Sequence, residues 1–148
     1  MKIEGSYSIP GPRDKVWALL QNPSVLQGAI PGCDELKPEG DGLFRTKLCA
    51  GLAAIRGNVE GEIRLQDVRA PEHYRLSVSG KGMGSFVNGW ANLDLVEAQG
   101  GTEVRYEGEV SVGGMIVAVG NRMIEVAVRK ALTDFFDRIK EQASGSRL

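Results

Sequence analysis

Between residues 34 and 113 apolar and polar positions alternate with a period of two, and on both sides of that stretch the spacing turns helical. In 43–50, Phe44, Leu48 and Ala50 fall opposite Arg45 and Lys47. In 55–66, Ile55, Val59, Ile63 and Leu65 oppose Arg56, Asn58, Glu60, Glu62 and Arg64. Tyr74, Leu76 and Val78 oppose Arg75 and Ser77, and in 102–112 Val104, Tyr106, Val110 and Val112 oppose four charged residues. One dry and one wet face is the pattern of an antiparallel sheet covered on one side. Turn residues interrupt it at Glu39–Gly42, Ala70–Glu72, Gly80–Gly84 and Gln99–Gly101.

The first thirty residues predict a strand and two short helices. Residues 2–9 read as a strand with Ile3, Tyr7 and Ile9 inward, broken by Pro10-Gly11-Pro12. Pro12 suits the first turn of a helix, Asp14 favours its positive end, and Val16, Trp17, Leu19 and Leu20 make its apolar face. Asn22 suits the cap of a second helix with Pro23 at its first position and Gly28 at its end. Pro31-Gly32 fits the centre of a type II turn.

Residues 115–142 lack proline and predict one long closing helix. Val117, Ile124, Val128, Ala131, Phe135 and Ile139 share a face opposite Arg122, Arg129, Thr133 and Lys140. Gly120, Ala127 and Ala131 on the covered side mean either close packing on the sheet or a gap, close packing being the plainer reading at any one site. The expected architecture is α+β: a curved antiparallel sheet of about seven strands around a C-terminal helix, with two short helices after strand 1. It spans 1–143 as a single domain, with 144–148 a disordered tail.

Composition narrows the function. A chain of 148 residues buries about 68–70% of its unfolded surface, enough for a core and a cavity together. Eighteen basic and nineteen acidic residues are mixed along the chain, so no basic cluster marks a nucleic-acid footprint. Cys33 and Cys49 are too far apart for a CxxC motif; a single bridge stays open, and two reduced thiols are the plainer reading. Charges interrupt the N-terminus, and the longest uncharged apolar stretch, Val110 to Asn121, is shorter than the ~20 residues of a spanning helix. The expected location is cytoplasmic, with peripheral contact at the inner membrane face left open.

Catalytic and metal chemistry find little support. His73, the sole histidine, sits in an Ala-Pro-Glu-His-Tyr turn and is expected to be exposed, away from any nucleophile. Cys33, Cys49 and His73 lack the close spacing of metal ligands. Gly80-Lys-Gly-Met-Gly84 leads into a strand rather than a helix, which fits a hairpin turn and not a dinucleotide loop. No catalytic residue, metal or cofactor is expected.

This order of elements is that of the helix-grip, START-like (SRPBCC) fold, and within it the chain resembles the CoxG family, which takes its name from carbon monoxide dehydrogenase. The resemblance rests on Val16-Trp17, Asn22-Pro23, Ile30-Pro31-Gly32-Cys33, Gly57 and Gly61, Gly80-Lys-Gly-Met-Gly84, Thr102 to Tyr106, and Val112-Gly113-Gly114 leading to Val119-Gly120. It implies a hydrophobic tunnel between sheet and helix for a lipid- or quinone-like molecule. For some members it also implies an accessory role beside a molybdenum-containing CO dehydrogenase or related hydroxylase. Many relatives carry a linker and an apolar anchor after the domain; this chain stops at Leu148 without either, so no anchor is expected in it.

Under that fold the dry side presents Ile55, Val59, Ile63, Tyr74, Leu76, Leu93, Tyr106 and Val110 toward Met123, Ala127 and Ala131. Such apolar walls with a few polar handles are the usual form of small-molecule sites. Tyr74 and Tyr106 each offer a hydroxyl to a quinone carbonyl or lipid head group, an ordinary packed core being the competing reading. Phe86 and Trp90, with Met115 and Ile116, are candidates for a tunnel mouth or a partner contact. The leading expectation is a non-catalytic hydrophobic-ligand module. The alternatives are a polyketide cyclase-like enzyme using the same cavity and a ligand-free interaction adaptor.

Overall fold

The computed structural model describes residues 1–52 and 55–145, the side chains of Leu52 and Ile55 excepted. Strand β1 (Lys2–Pro10) is followed by helices α1 (Arg13–Gln21) and α2 (Pro23–Ala29). Then come β2 (Cys33–Pro38), β3 (Leu43–Leu52), β4 (Ile55–Arg69), β5 (His73–Gly82), β6 (Ser85–Ala98) and β7 (Gly101–Gly114). A 3₁₀ turn (Met115–Val119) and helix α3 (Asn121–Ser144) complete the described chain. The seven strands form one antiparallel sheet in the order β1-β7-β6-β5-β4-β3-β2. Only β1 joins out of sequence, beside β7, so the sheet's two ends both reach back to the helices. This curved sheet with its long C-terminal helix is the helix-grip arrangement.

Local chemistry sets the turns. Asn22 Oδ1 accepts from the N–H groups of Ser24 (2.9 Å) and Val25 (3.4 Å), capping α2 with Pro23 behind it. Gly32, at φ 73°, carries the Ile30–Cys33 turn, closed by Cys33 N–H donating to Ile30 C=O at 3.2 Å. The β5–β6 hairpin closes on two residues, Met83 and Gly84, both at positive φ (55° and 72°), as a tight turn matching strand twist requires. β5 therefore runs through Gly80 and Gly82, which belong to the strand and not to the turn.

Three boundaries differ from the sequence reading. Pro12 sits one residue ahead of α1, in extended conformation, and its carbonyl accepts from Lys15 and Val16. α2 continues through Gly28, because Pro31 sets the stop by forcing the residue before it out of helical ψ (Ile30, 121°). The expected 115–142 helix is broken: Gly120 lies at φ 95°, ψ 151°, a region closed to L side chains, so α3 begins only at Asn121. It runs through Ser144, which the expected tail had included; residues 146–148 lie outside the described residues.

The main core gathers Ile9, Val16, Leu20, Ala29, Tyr74, Leu93, Leu95, Val104, Phe136, Ile139 and Ala143. Leu26, Leu36 and Phe44 form a smaller neighbouring cluster, with Phe135 touching both. Both clusters lie under α1, α2 and the C-terminal half of α3. α3 makes its nearest sheet approaches to β1 and β3, at the sheet's two sides.

Candidate functional site

Register extends the inward face of each strand across the whole sheet. One inward row runs Phe44, Ile63, Val78, Gly89 and Val110; the next towards the core runs Leu65, Leu76, Ala91 and Gly108. Beyond them lie Leu48 with Val59, and Gly80 with Val87 and Val112. Apart from Phe44 and the strand glycine Gly108, these positions are only half-buried, whereas the rows beneath α1 and the end of α3 are sealed. The helix residues over this strip are small or turned away. Ala127 is half-buried, while Met123 and Val126 are 45% and 62% exposed. The result is an apolar groove beside the N-terminal half of α3.

Of the residues expected in a tunnel, Val59, Ile63, Leu76, Tyr106, Val110 and Ala127 fall on this groove. Ile55 lies outside the described side chains. Tyr74 and Leu93 are corrected: at 3% and 4% exposure they belong to the closed core, where Trp17 meets the Tyr74 ring edge-on at 5.3 Å. Burial alone pushes the Tyr74 hydroxyl far up from its usual range, so it stays protonated. Ala131 and Met123 are corrected too. With α3 starting at Asn121, its covered stripe is Ile124, Val128, Leu132, Phe136 and Ile139, and both residues lie off it, exposed.

The groove ends at an aromatic stack. Tyr7 lies between Phe136 (centroids 4.4 Å apart) and Tyr106 (6.2 Å), all three nearly parallel. Tyr106 lays its ring and hydroxyl across Gly5 on β1, where any side chain would collide with it. Tyr7 has its hydroxyl 3.2 Å from Thr133 Oγ1 on α3. Tyr106 has its phenol raised, chiefly by burial, so it too is a neutral donor. Sequence reasoning found Tyr106 but passed over Tyr7 as a site residue, although its inward position on strand 1 was visible.

The expected mouth residues divide between two faces. Met115 (62% exposed) and the half-buried Ile116 sit in the 3₁₀ turn, tied to the β5–β6 hairpin by Met115 N–H to Gly84 C=O and Ile116 N–H to Ser85 Oγ, both 2.9 Å. Phe86 and Trp90 are not at that mouth, because even-numbered positions of β6 point to the opposite, outer face. There Arg75 stacks over the Trp90 ring at 4.2 Å, and the Phe86 ring covers Gly113. A charge-lined trough of about 630 Å³ also opens on this outer face. Its Glu35 pairs with Lys37 and Lys47, and its Arg45 with Glu39 and Glu62, so opposite charges are largely matched.

His73 is corrected as well. It is the first residue of β5, its side chain only 16% exposed, with Nδ1 2.8 Å from Asp94 Oδ1 on β6. This pair lies on the outer face, away from the groove. Cys33 and Cys49 are both free thiols. Cys33 donates to Glu35 C=O at 3.4 Å, and burial raises its pKa. Among the described residues no group of three or more acidic, His or Cys side chains could hold a metal ion, and no helix is long and apolar enough to cross a membrane.

Residues 5–144 match the family model of CoxG, the G-type subunit of carbon monoxide dehydrogenase. This chain belongs to that family. A conserved protein from Geobacillus kaustophilus is 32% identical to the CoxG-family domain described here; the match covers 99% of this chain and 97% of that one, with a TM-score of 0.93. Two more distant structures share the fold. Ms6760 from Mycobacterium smegmatis has 12% identity, 99% and 92% coverage and a TM-score of 0.73. CV1439 from Chromobacterium violaceum has 11% identity, 96% coverage of each chain and a TM-score of 0.72. Comparison with curated proteins finds no match.

Proposed function

We propose that this CoxG-family domain is a non-catalytic binding module that takes a lipid- or quinone-like molecule into the apolar groove. It would serve as accessory to a molybdenum-containing CO dehydrogenase or related hydroxylase. The single observation carrying the ligand is the half-buried apolar strip through Ile63, Leu76, Val78 and Val110, beside an α3 stretch whose side chains leave it partly uncovered. Burying such a strip against an apolar ligand gains about 25 cal/mol per Å² removed from water. Family membership supports the partner class. The groove walls named above include no carboxylate, lysine or histidine, which favours binding over the cyclase alternative.

The test is direct. Protein purified without detergent, extracted with organic solvent and examined by mass spectrometry should yield a stoichiometric apolar molecule, and the protein should co-purify with a molybdenum hydroxylase. An extract with no such molecule, from protein that also fails to bind added long-chain quinone, sinks the ligand half of the proposal. Phe86 on the outer face, half exposed on its glycine seat, is the proposed partner contact; Phe86→Ala should weaken co-purification and leave ligand content unchanged.

A further inference from the structure

The groove's two walls are apolar, so selectivity must come from its aromatic end. Two phenols reach that end, and their hydrogen bonds differ. The Thr133 hydroxyl donates its only proton to Arg129 C=O at 3.1 Å. Tyr7, 3.2 Å from the same Thr133 oxygen, must therefore donate to it, and its proton is spent. The Tyr106 hydroxyl has no hydrogen-bond partner among the described residues. Next to it on the inward face, Gly108 and Ala91 are small, so the floor between Tyr106 and Val110 is low. The Arg129 guanidinium, near enough to act on the phenol, is already held by Glu125 Oε2 at 3.1 Å.

We infer that Tyr106 is the specificity-determining donor of the groove, and that its ligand is an apolar molecule carrying a neutral acceptor oxygen, a carbonyl, set against the Tyr7–Tyr106–Phe136 stack. The inference rests on the binding function proposed above and names its recognition chemistry. A carboxylate is disfavoured because Arg129, the cation that acts on the phenol, has a carboxylate partner. A ligand without oxygen leaves the donor unused. Tyr74, the other candidate phenol, is closed off in the core. The raised pKa of Tyr106 agrees, since a phenol that stays protonated throughout the physiological range donates and does not compete as an anion.

Three probes of one ring size separate these possibilities: 2-ethylnaphthalene, 2-acetylnaphthalene and 2-naphthoate, titrated into the intact chain and followed by amide NMR shifts. The acetyl compound should bind more tightly than the ethyl compound. Tyr106→Phe should weaken the acetyl compound roughly fivefold to tenfold, the loss of one neutral hydrogen bond, and leave the ethyl compound unchanged. Tyr74→Phe should alter neither. Equal affinity for the acetyl and ethyl probes, an acetyl affinity retained in Tyr106→Phe, or tighter binding of the naphthoate overturns the inference while the groove stands. Failure of all three probes to bind removes the groove as well.

Discussion

The Tyr7 hydroxyl on the first strand meets the Thr133 hydroxyl on the last helix at 3.2 Å, joining residues 126 positions apart. This contact closes one side of the grip. It sits beside the ring stack of Tyr7 on Phe136, so polar and apolar terms hold α3 to β1 at the same place. The two can be separated by mutation. Tyr7→Phe keeps the stack and should cost about 0.5–1.5 kcal/mol in urea unfolding. Tyr7→Ala loses both and should cost about 3–5 kcal/mol, the usual range for deleting a large packed aromatic.

At the other end of α3, Gly120 separates the 3₁₀ turn from the helix in a backbone conformation closed to other residues. Gly120→Ala should destabilise by about 1–3 kcal/mol, although a Cβ there would meet no neighbouring atom. The cost is therefore one of dihedral strain. A thermal unfolding midpoint equal to wild type would show that the break is not required.

Filling the groove should separate binding from stability. Ala127 is half-buried on α3 beside the apolar strip. Ala127→Phe should occupy ligand volume and lower affinity for added long-chain quinone at least tenfold, with the unfolding midpoint held or raised. A variant that binds normally would place the ligand elsewhere.

Glu35 supplies a pH-dependent contribution on the outer face. Its hydrogen bond to Lys37, with help from Lys47, holds the carboxyl below its ordinary value of 4.5. The unfolded chain thus binds the proton more readily, so this stabilisation is complete above pH 4.5 and fades as pH falls through the native pKa. Glu35→Gln should flatten the acid limb of the stability profile, and added salt should mimic part of that effect because the pair is exposed. An acid limb unchanged by the substitution would show that the ion pairs here add nothing.

How far the residues foretold the site depends on the kind of signal. The strand alternation from Phe44 to Val112 named the inward face correctly, because the side-chain period of a strand is a local property. Asn22 as a cap and Gly32 as a turn residue were equally readable. Which inward residues would be sealed was not. Tyr74 and Val78 sit on the same face of β5, yet Tyr74 is closed under Trp17 and Val78 is only half-covered. That difference comes from where α1 and α3 dock, and docking depends on contacts across more than a hundred residues.

Ala131 makes the same point. Its spacing from Ile124 and Val128 is helical, but a break at Gly120 frees α3 from the preceding segment and sets the helix rotation by packing of Phe136 and Ile139. The amino-acid order alone determined the elements, the two faces of the sheet and the family, since periodicity, caps and turn residues act within a few positions. Only the tertiary structure decided which part of the apolar face stayed uncovered and which tyrosine hydroxyl stayed free. Both follow from the angle and rotation at which one helix crosses a curved sheet, and no local pattern encodes them.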